Sequence, residues 1–153
     1  MMISDHKNIA GIILLMVFCG FFSVKAQNVE VVIEGIRSSK GQIIIGIYED
    51  EQRFREDKPY IRKKYKKTDI SEGKMTIYLN LDPGTYGFAL LDDENNDEVM
   101  NYNLIGIPKE GFGFSNYYHT SLTSPKFDLF SFVLSENENK KILCKIRYVN
   151  KTK

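Results

Sequence analysis

Apolar side chains alternate with polar ones along most of residues 29–149. Val29, Val31 and Ile33 alternate with Glu30 and Glu34, and after a turn at Ser38-Ser39-Lys40-Gly41 the residues Ile43, Ile45 and Ile47 repeat the spacing. Met75, Ile77 and Leu79 alternate with Thr76, Tyr78 and Asn80, and Tyr86, Phe88 and Leu90 follow. A period of two puts one face of an extended segment in a core and the other in water, so each run predicts a strand. Phe127 to Leu134 and Ile142 to Val149 predict two more, with Glu136-Asn137-Glu138-Asn139 as a hairpin connection between them. Glu49 to Thr68 holds a short helix around Glu51-Gln52-Arg53-Phe54 and then an extended piece with Ile61 and Tyr65 facing inward. About seven strands without a long helical period predict an all-β chain, an antiparallel β-sandwich of Ig-like or prealbumin-like type forming a single domain.

Leu81-Asp82-Pro83-Gly84-Thr85-Tyr86 refines that picture. Pro and Gly build a turn, and Tyr86 enters the next strand where its hydroxyl can return to the backbone, as in a tyrosine corner.

The amino terminus has a different pattern. Lys7 precedes an apolar stretch from Ile9 to Phe22, and Val24-Lys25-Ala26 places small or apolar residues before Gln27. Residues 1–26 are expected to be a secretory signal peptide, leaving 27–153 as the β-sandwich domain of a secreted or periplasmic protein. The apolar stretch is shorter than the roughly 20 residues a spanning helix needs, so no membrane span is expected after cleavage. Phe18 before Cys19 disfavours lipoprotein processing, which takes a small residue there. Beyond the signal only Cys144 remains, so an internal disulfide is excluded, and its place in an apolar alternation reads as a buried small hydrophobe.

Charge adds an exclusion. With 21 basic and 20 acidic residues, the chain has a net charge of +1. That balance does not suit a dedicated nucleic-acid partner. The local basic run Lys58, Arg62, Lys63, Lys64, Lys66 and Lys67, with Tyr60 and Tyr65 interleaved, is expected to be a solvated edge strand whose charges prevent strand-to-strand association.

Candidate chemistry is concentrated between residues 93 and 116. Asp93, Asn95 and Asp97 fall on alternate positions, Val99 offers a carbonyl and Asn101 another side-chain oxygen. Short oxygen ligands so spaced wrap a hard cation such as Ca²⁺, and the order resembles the first nine positions of an EF-hand loop. Glu98 stands where that loop takes Gly, and Leu104 where it takes its closing Glu, so this is not an EF-hand. Glu110 is a candidate for the missing carboxylate. The competing reading is a solvated turn of Asn and Asp. The next run, Gly111, Phe112, Gly113, Phe114, Ser115 and Asn116, joins close-approach glycines to aromatic rings and polar groups. It is a candidate ligand-binding surface, or else a plug for one end of the sandwich. His119, with Ser115, Ser121 and Asp128 near it in sequence, or the loop carboxylates, would serve a small periplasmic hydrolase; no nucleophile-elbow pattern accompanies them.

Asp93-Glu94-Asn95-Asn96-Asp97 together with Gly106-Ile107-Pro108-Lys109-Glu110-Gly111-Phe112-Gly113-Phe114-Ser115-Asn116 resembles the signature of an exported bacterial family, domain of unknown function 2141. Its pattern is an Asp-x-Asn-x-Asn/Asp loop, then Gly-x-Pro-x-Glu-Gly-x-Gly-Phe-Ser-Asn, and the looser similarity runs from Val29 to Tyr148. The chain departs at Glu98, where the family favours Gly, at Asp92, where His is frequent, and at Asn101, where Asp is commoner. The resemblance implies export and a small β-domain, and assigns no activity. The expected function is therefore a non-enzymatic binding or interaction module with a weak calcium loop. Its partner would be an envelope or extracellular protein or glycan.

Overall fold

The computed structural model describes residues 28–149, so the expected signal peptide at 1–26 lies outside the described residues. Eight strands form two sheets: β1 (Val29–Glu34), β2 (Gln42–Tyr48), β3 (Ile61–Lys66), β4 (Lys74–Leu79), β5 (Gly84–Asp93), β6 (Gly111–Phe114), β7 (Ser131–Leu134) and β8 (Lys140–Lys145). A short helix, α1 (Glu51–Arg55), follows β2, its start fixed by the Asp50 side chain accepting from the Arg53 amide at 2.8 Å.

The smaller sheet has the order β4-β1-β8 and the larger β3-β2-β5-β6. The ten-residue β5 is long enough to pair β7 along Gly84–Gly87 and β6 along Ala89–Asp92 of its far edge. Val31, Ile33, Ile77, Leu79 and Ile142 from one sheet meet Ile43, Ile45, Ile47, Phe88 and Leu90 from the other. Fully burying an aliphatic side chain of this size stabilises by about 1.5–3 kcal/mol, which is why the alternation dictates which faces meet. Cys144 is wholly buried here, and burial pushes its thiol pKa upward, as expected of an inert small hydrophobe. The Tyr86 hydroxyl donates to the Asp82 carbonyl at 3.0 Å, completing the tyrosine corner.

Three expectations need correction. β8 pairs with β1 in parallel, so the sandwich is not wholly antiparallel. Since β7 lies in the other sheet, Glu136–Asn139 crosses between layers and is not a hairpin. Phe127–Leu134 is also not one strand: Phe127–Leu129 forms a 3₁₀ turn that carries Phe127 and Phe130 onto the outer face of the large sheet. There they join Tyr48, Phe114 and the partly buried Phe54, Phe112 and Tyr117 in a second apolar cluster. β2 is therefore buried on both faces, and six of its seven residues are shielded.

β3 is the edge strand, with Arg62, Lys63, Lys64 and Lys66 exposed and Ile61 and Tyr65 packed against the core. Lys63 shares the inward face of those two residues, a charge that guards the edge. Lys67 departs from the expected solvated run, because its side chain is wholly buried against Asp92.

Candidate functional site

β5 delivers Asp93 to the mouth of the large sheet, opposite Gln42 of β2. The carboxylate is buried and organises the loop that follows. Gln42 Nε2 donates to Asp93 Oδ2 at 2.8 Å, the Glu98 amide to the same oxygen at 3.1 Å, and the Asp97 amide to Oδ1 at 3.2 Å. Asn95 Oδ1 accepts from the Asp97 amide at 3.1 Å, and Asp97 Oδ1 from the Val99 amide at 3.1 Å. Side chains that bond the backbone two residues on wind a loop tightly. Asn96 and Glu98 take positive φ, 61° and 67°, so Glu98 adopts without glycine the left-handed turn that a cation loop needs at that place.

The winding gathers the oxygen-bearing side chains. The Asn95 and Asn101 amides donate to Asp97 Oδ2 at 2.9 and 2.8 Å, and Asn101 Nδ2 also reaches the Val99 carbonyl at 3.3 Å. Glu110, just before β6, folds back over them. Its two oxygens accept from the Glu94 amide at 3.3 Å and the Asn101 amide at 3.2 Å. One oxygen each of Asp93, Asp97 and Glu110 then lie within 4.8 Å of one another. Calcium holds its ligands at about 2.3–2.6 Å, so two oxygens of one shell lie within about 5 Å, and the spacing fits. Burial raises the Glu110 pKa, the Asn101 amide opposes this, and the Asp93 and Asp97 charges raise it further. Asp97 is held below its ordinary value by the Asn101 side chain and the Val99 amide.

The turn between β1 and β2 buttresses this loop. Arg37 pairs with Glu94 through two contacts, at 3.0 and 2.5 Å, and the Ser38 hydroxyl donates to Glu94 at 2.9 Å. Gly41 has φ +74°, and a Cβ there would fall 1.9 Å from the Asp93 carbonyl oxygen. Behind the loop, Asp92 points inward to Lys67 and the Tyr148 hydroxyl. Gln42, Gly41 and Lys67 thus support the site without any motif marking them. The period-two register is the only sequence signal, placing position 42 opposite the end of β5.

The candidate ligand run divides. Phe112 and Phe114 line a cavity of about 590 Å³ on the outer face of the large sheet, floored also by Ile44, Tyr48 and Leu91. One wall is Glu98, Val99, Met100, Tyr102 and Pro108, continuous with the cation loop; the other comes from His119 and residues 121–125. Gly111, Gly113, Ser115 and Asn116 instead close the sandwich. A Cβ at Gly111 would lie 2.4 Å from the Tyr148 ring and one at Gly113 2.9 Å from the Lys145 carbonyl oxygen. The Ser115 hydroxyl donates to the Phe130 carbonyl at 2.5 Å and accepts from the Phe88 amide at 2.8 Å. Asn116 exchanges bonds with Leu143, its amide donating at 2.7 Å and its Oδ1 accepting at 3.0 Å.

His119 is buried in the cavity wall between the rings of Phe114 and Tyr117, with Nε2 donating to the Thr123 carbonyl at 2.5 Å. That ring nitrogen is thus committed to the backbone, as is the Ser115 hydroxyl. No Ser–His hydrogen bond occurs among the described residues. Nor is any described helix long and apolar enough to cross a membrane.

The chain belongs to the family described as "uncharacterized protein conserved in bacteria", domain of unknown function 2141, whose model matches residues 31–142. No curated protein and no solved structure matches the chain.

Proposed function

We propose that this protein is an exported, non-enzymatic binding module whose acidic loop takes calcium. Asp93, Asp97 and Glu110 would supply carboxylates and Val99 its carbonyl, while Asn95 and Asn101, whose Nδ2 groups donate to Asp97, would turn their amide oxygens to the ion. The observation that carries this reading is the return of Glu110 to Asp93 and Asp97 across the intervening loop. Three mutually repelling carboxylates, two of them buried, are a costly arrangement that a divalent cation relieves. An oxygen-only donor set suits calcium, and a wound loop of this kind tolerates calcium's larger, less regular shell better than magnesium's octahedron.

Calcium would fix the segment that supplies Glu98 to Met100 to the cavity wall, and so ready the aromatic floor for its ligand. Aromatic rings below and polar groups at the rim suit a glycan or a peptide segment from the envelope or exterior. Thermal melts in chelator and in calcium test the cation. The wild type should gain stability with calcium and Glu110→Gln should lose most of that response. Coincident wild-type melts would refute the reading.

A further inference from the structure

Residues 101–109 form a small antiparallel projection whose base is part of the cation site. Tyr102 bridges Pro108, the Asn103 amide donates to the Ile107 carbonyl at 2.9 Å, and the Lys109 amide to the Asn101 carbonyl at 2.9 Å. Asn103 Oδ1 closes the tip by accepting from the Ile105 and Ile107 amides at 3.1 and 2.9 Å, and Gly106 turns the chain at φ +77°. This ordered turn presents Leu104 at 106% and Ile105 at 78% relative exposure, with Tyr102 exposed beside them. A tight turn is ordinarily made of polar residues, so two adjacent branched aliphatics held fully in water mark a surface that meets an apolar medium.

The surrounding charge says which medium. At the foot of the projection Arg62 donates to the Glu98 carbonyl at 2.9 Å, and Lys64 pairs with the Glu98 carboxylate at 2.5 Å. Lys109, on the projection itself, is exposed. These cations compete with Asp93, Asp97 and Glu110 at its base. Without a metal the cluster repels an anionic surface. With Glu98 counted, the foot of the projection carries a small negative excess without a metal and a small positive one once a divalent cation cancels two charges of the cluster. A protein groove would need neither the full protrusion of Leu104 nor a change of field on loading, whereas an anionic bilayer answers both.

We propose that the 101–109 projection docks the protein on an anionic lipid surface by inserting Leu104 and Ile105 among the acyl chains, with the cation-loaded loop at the headgroups. The calcium dependence and the choice of an anionic surface rest on the cation reading above; the exposure of Leu104 and Ile105 does not.

The test is co-sedimentation of the full exported protein with phosphatidylcholine vesicles containing about a third phosphatidylglycerol, in calcium and in chelator, beside pure phosphatidylcholine vesicles. Calcium should bring the protein down with the anionic vesicles alone. The Leu104→Asn/Ile105→Asn variant should lose at least about tenfold in apparent partition while keeping the wild-type calcium melting response. A protein whose melt responds to calcium but which stays in the supernatant would overturn the docking proposal, and the tip would then be assigned to a protein partner. Sedimentation unchanged in the tip variant would overturn it too. Tip-dependent sedimentation equal in calcium and chelator would support insertion and defeat the calcium control, and a missing melting response would identify the cation reading as the part that failed.

Discussion

The ammonium of Lys67 and the carboxylate of Asp92 face each other with neither side chain exposed to solvent. The Tyr148 hydroxyl donates to the second carboxylate oxygen, and Lys67 also donates to the Ser38 carbonyl at 3.3 Å. Burial drives the Asp92 carboxyl pKa upward, while Lys67 and Tyr148 draw it down. With Tyr148, the pair joins the residue that follows β3 to β5 beneath the cation loop, one residue before Asp93.

Splitting such a pair costs more than never making it. Lys67→Met leaves a buried carboxylate without its counter-charge and should destabilise by about 3–5 kcal/mol. Adding Asp92→Leu removes that charge and should recover most of the loss. Denaturant unfolding of both singles and the double measures the coupling. Additive effects would mean that the two side chains stabilise the fold independently.

Glu110 gives a pH dependence of definite sign. Its folded-state pKa is raised, chiefly by burial and then by Asp93 and Asp97. The folded protein therefore binds a proton before the unfolded chain does. The penalty is fully present above the folded pKa and is relieved as pH falls through it toward the ordinary glutamate value. In chelator, the unfolding free energy of the wild type relative to Glu110→Gln should rise over that window. Carbon-detected titration of the Glu110 carboxyl should give a midpoint above the ordinary value in chelator and a lower one in calcium. A depressed midpoint in chelator would contradict the crowding of the three carboxylates.

Gly41 and Gly106 both have positive φ, +74° and +77°, but differ in surroundings. A Cβ at Gly41 would meet the Asp93 carbonyl oxygen at 1.9 Å, whereas one at Gly106 would have nothing within 4 Å. Gly106→Ala should cost only the backbone strain, about 1–2 kcal/mol. Gly41→Ala must also push the β1–β2 turn off the cation loop, so it should destabilise more and weaken the calcium response. Equal effects of the two substitutions on calcium affinity would show that the turn does not position Asp93.

Much of this architecture was legible because burial on one face leaves a period of two. β1, β4 and β8 follow it, with Val32 and Leu143 as apolar exceptions on the outward face, and the Asp93–Asn95–Asp97 alternation marked the loop. β6 was not legible. Gly111 and Gly113 carry no side chain to show a period, and the strand exists because β5 offers a free edge and because glycine lets Ile146 and Tyr148 approach. Phe127 and Phe130, three apart, would point to opposite faces of an extended segment, and a 3₁₀ turn instead delivers both to the outer cluster. The burial of Ile44 and Tyr48 was present in the unbroken apolar run of β2, which reports two covered faces. Lys67 could not be told from its exposed neighbours, since its charge is compensated by Asp92, 25 positions away and in another strand. The return of Glu110 to Asp93 likewise depends on the 101–109 projection closing back on itself, which composition does not encode.

The strength of the calcium response can be bounded. A ligand that binds only the folded state stabilises it by RT ln(1 + [L]/Kd). With few carboxylates the site belongs among weak extracellular ones, with Kd of about 10⁻⁴ M, so about 10 mM calcium should add roughly 2.7 kcal/mol. That is a melting shift of several degrees for a domain of this size, and magnesium should give less. Asp97→Ala is the variant of choice. Its side chain is exposed, so the domain should stay folded while the shift disappears. Asp93→Ala is less clean, because Asp93 is buried and accepts from Gln42 and from the amides of Asp97 and Glu98; its loss would unwind the loop even in chelator. If Asp97→Ala keeps the wild-type shift, calcium acts elsewhere on the molecule. If magnesium matches calcium at equal concentration, the loop is a diffuse anionic patch and not a coordination shell.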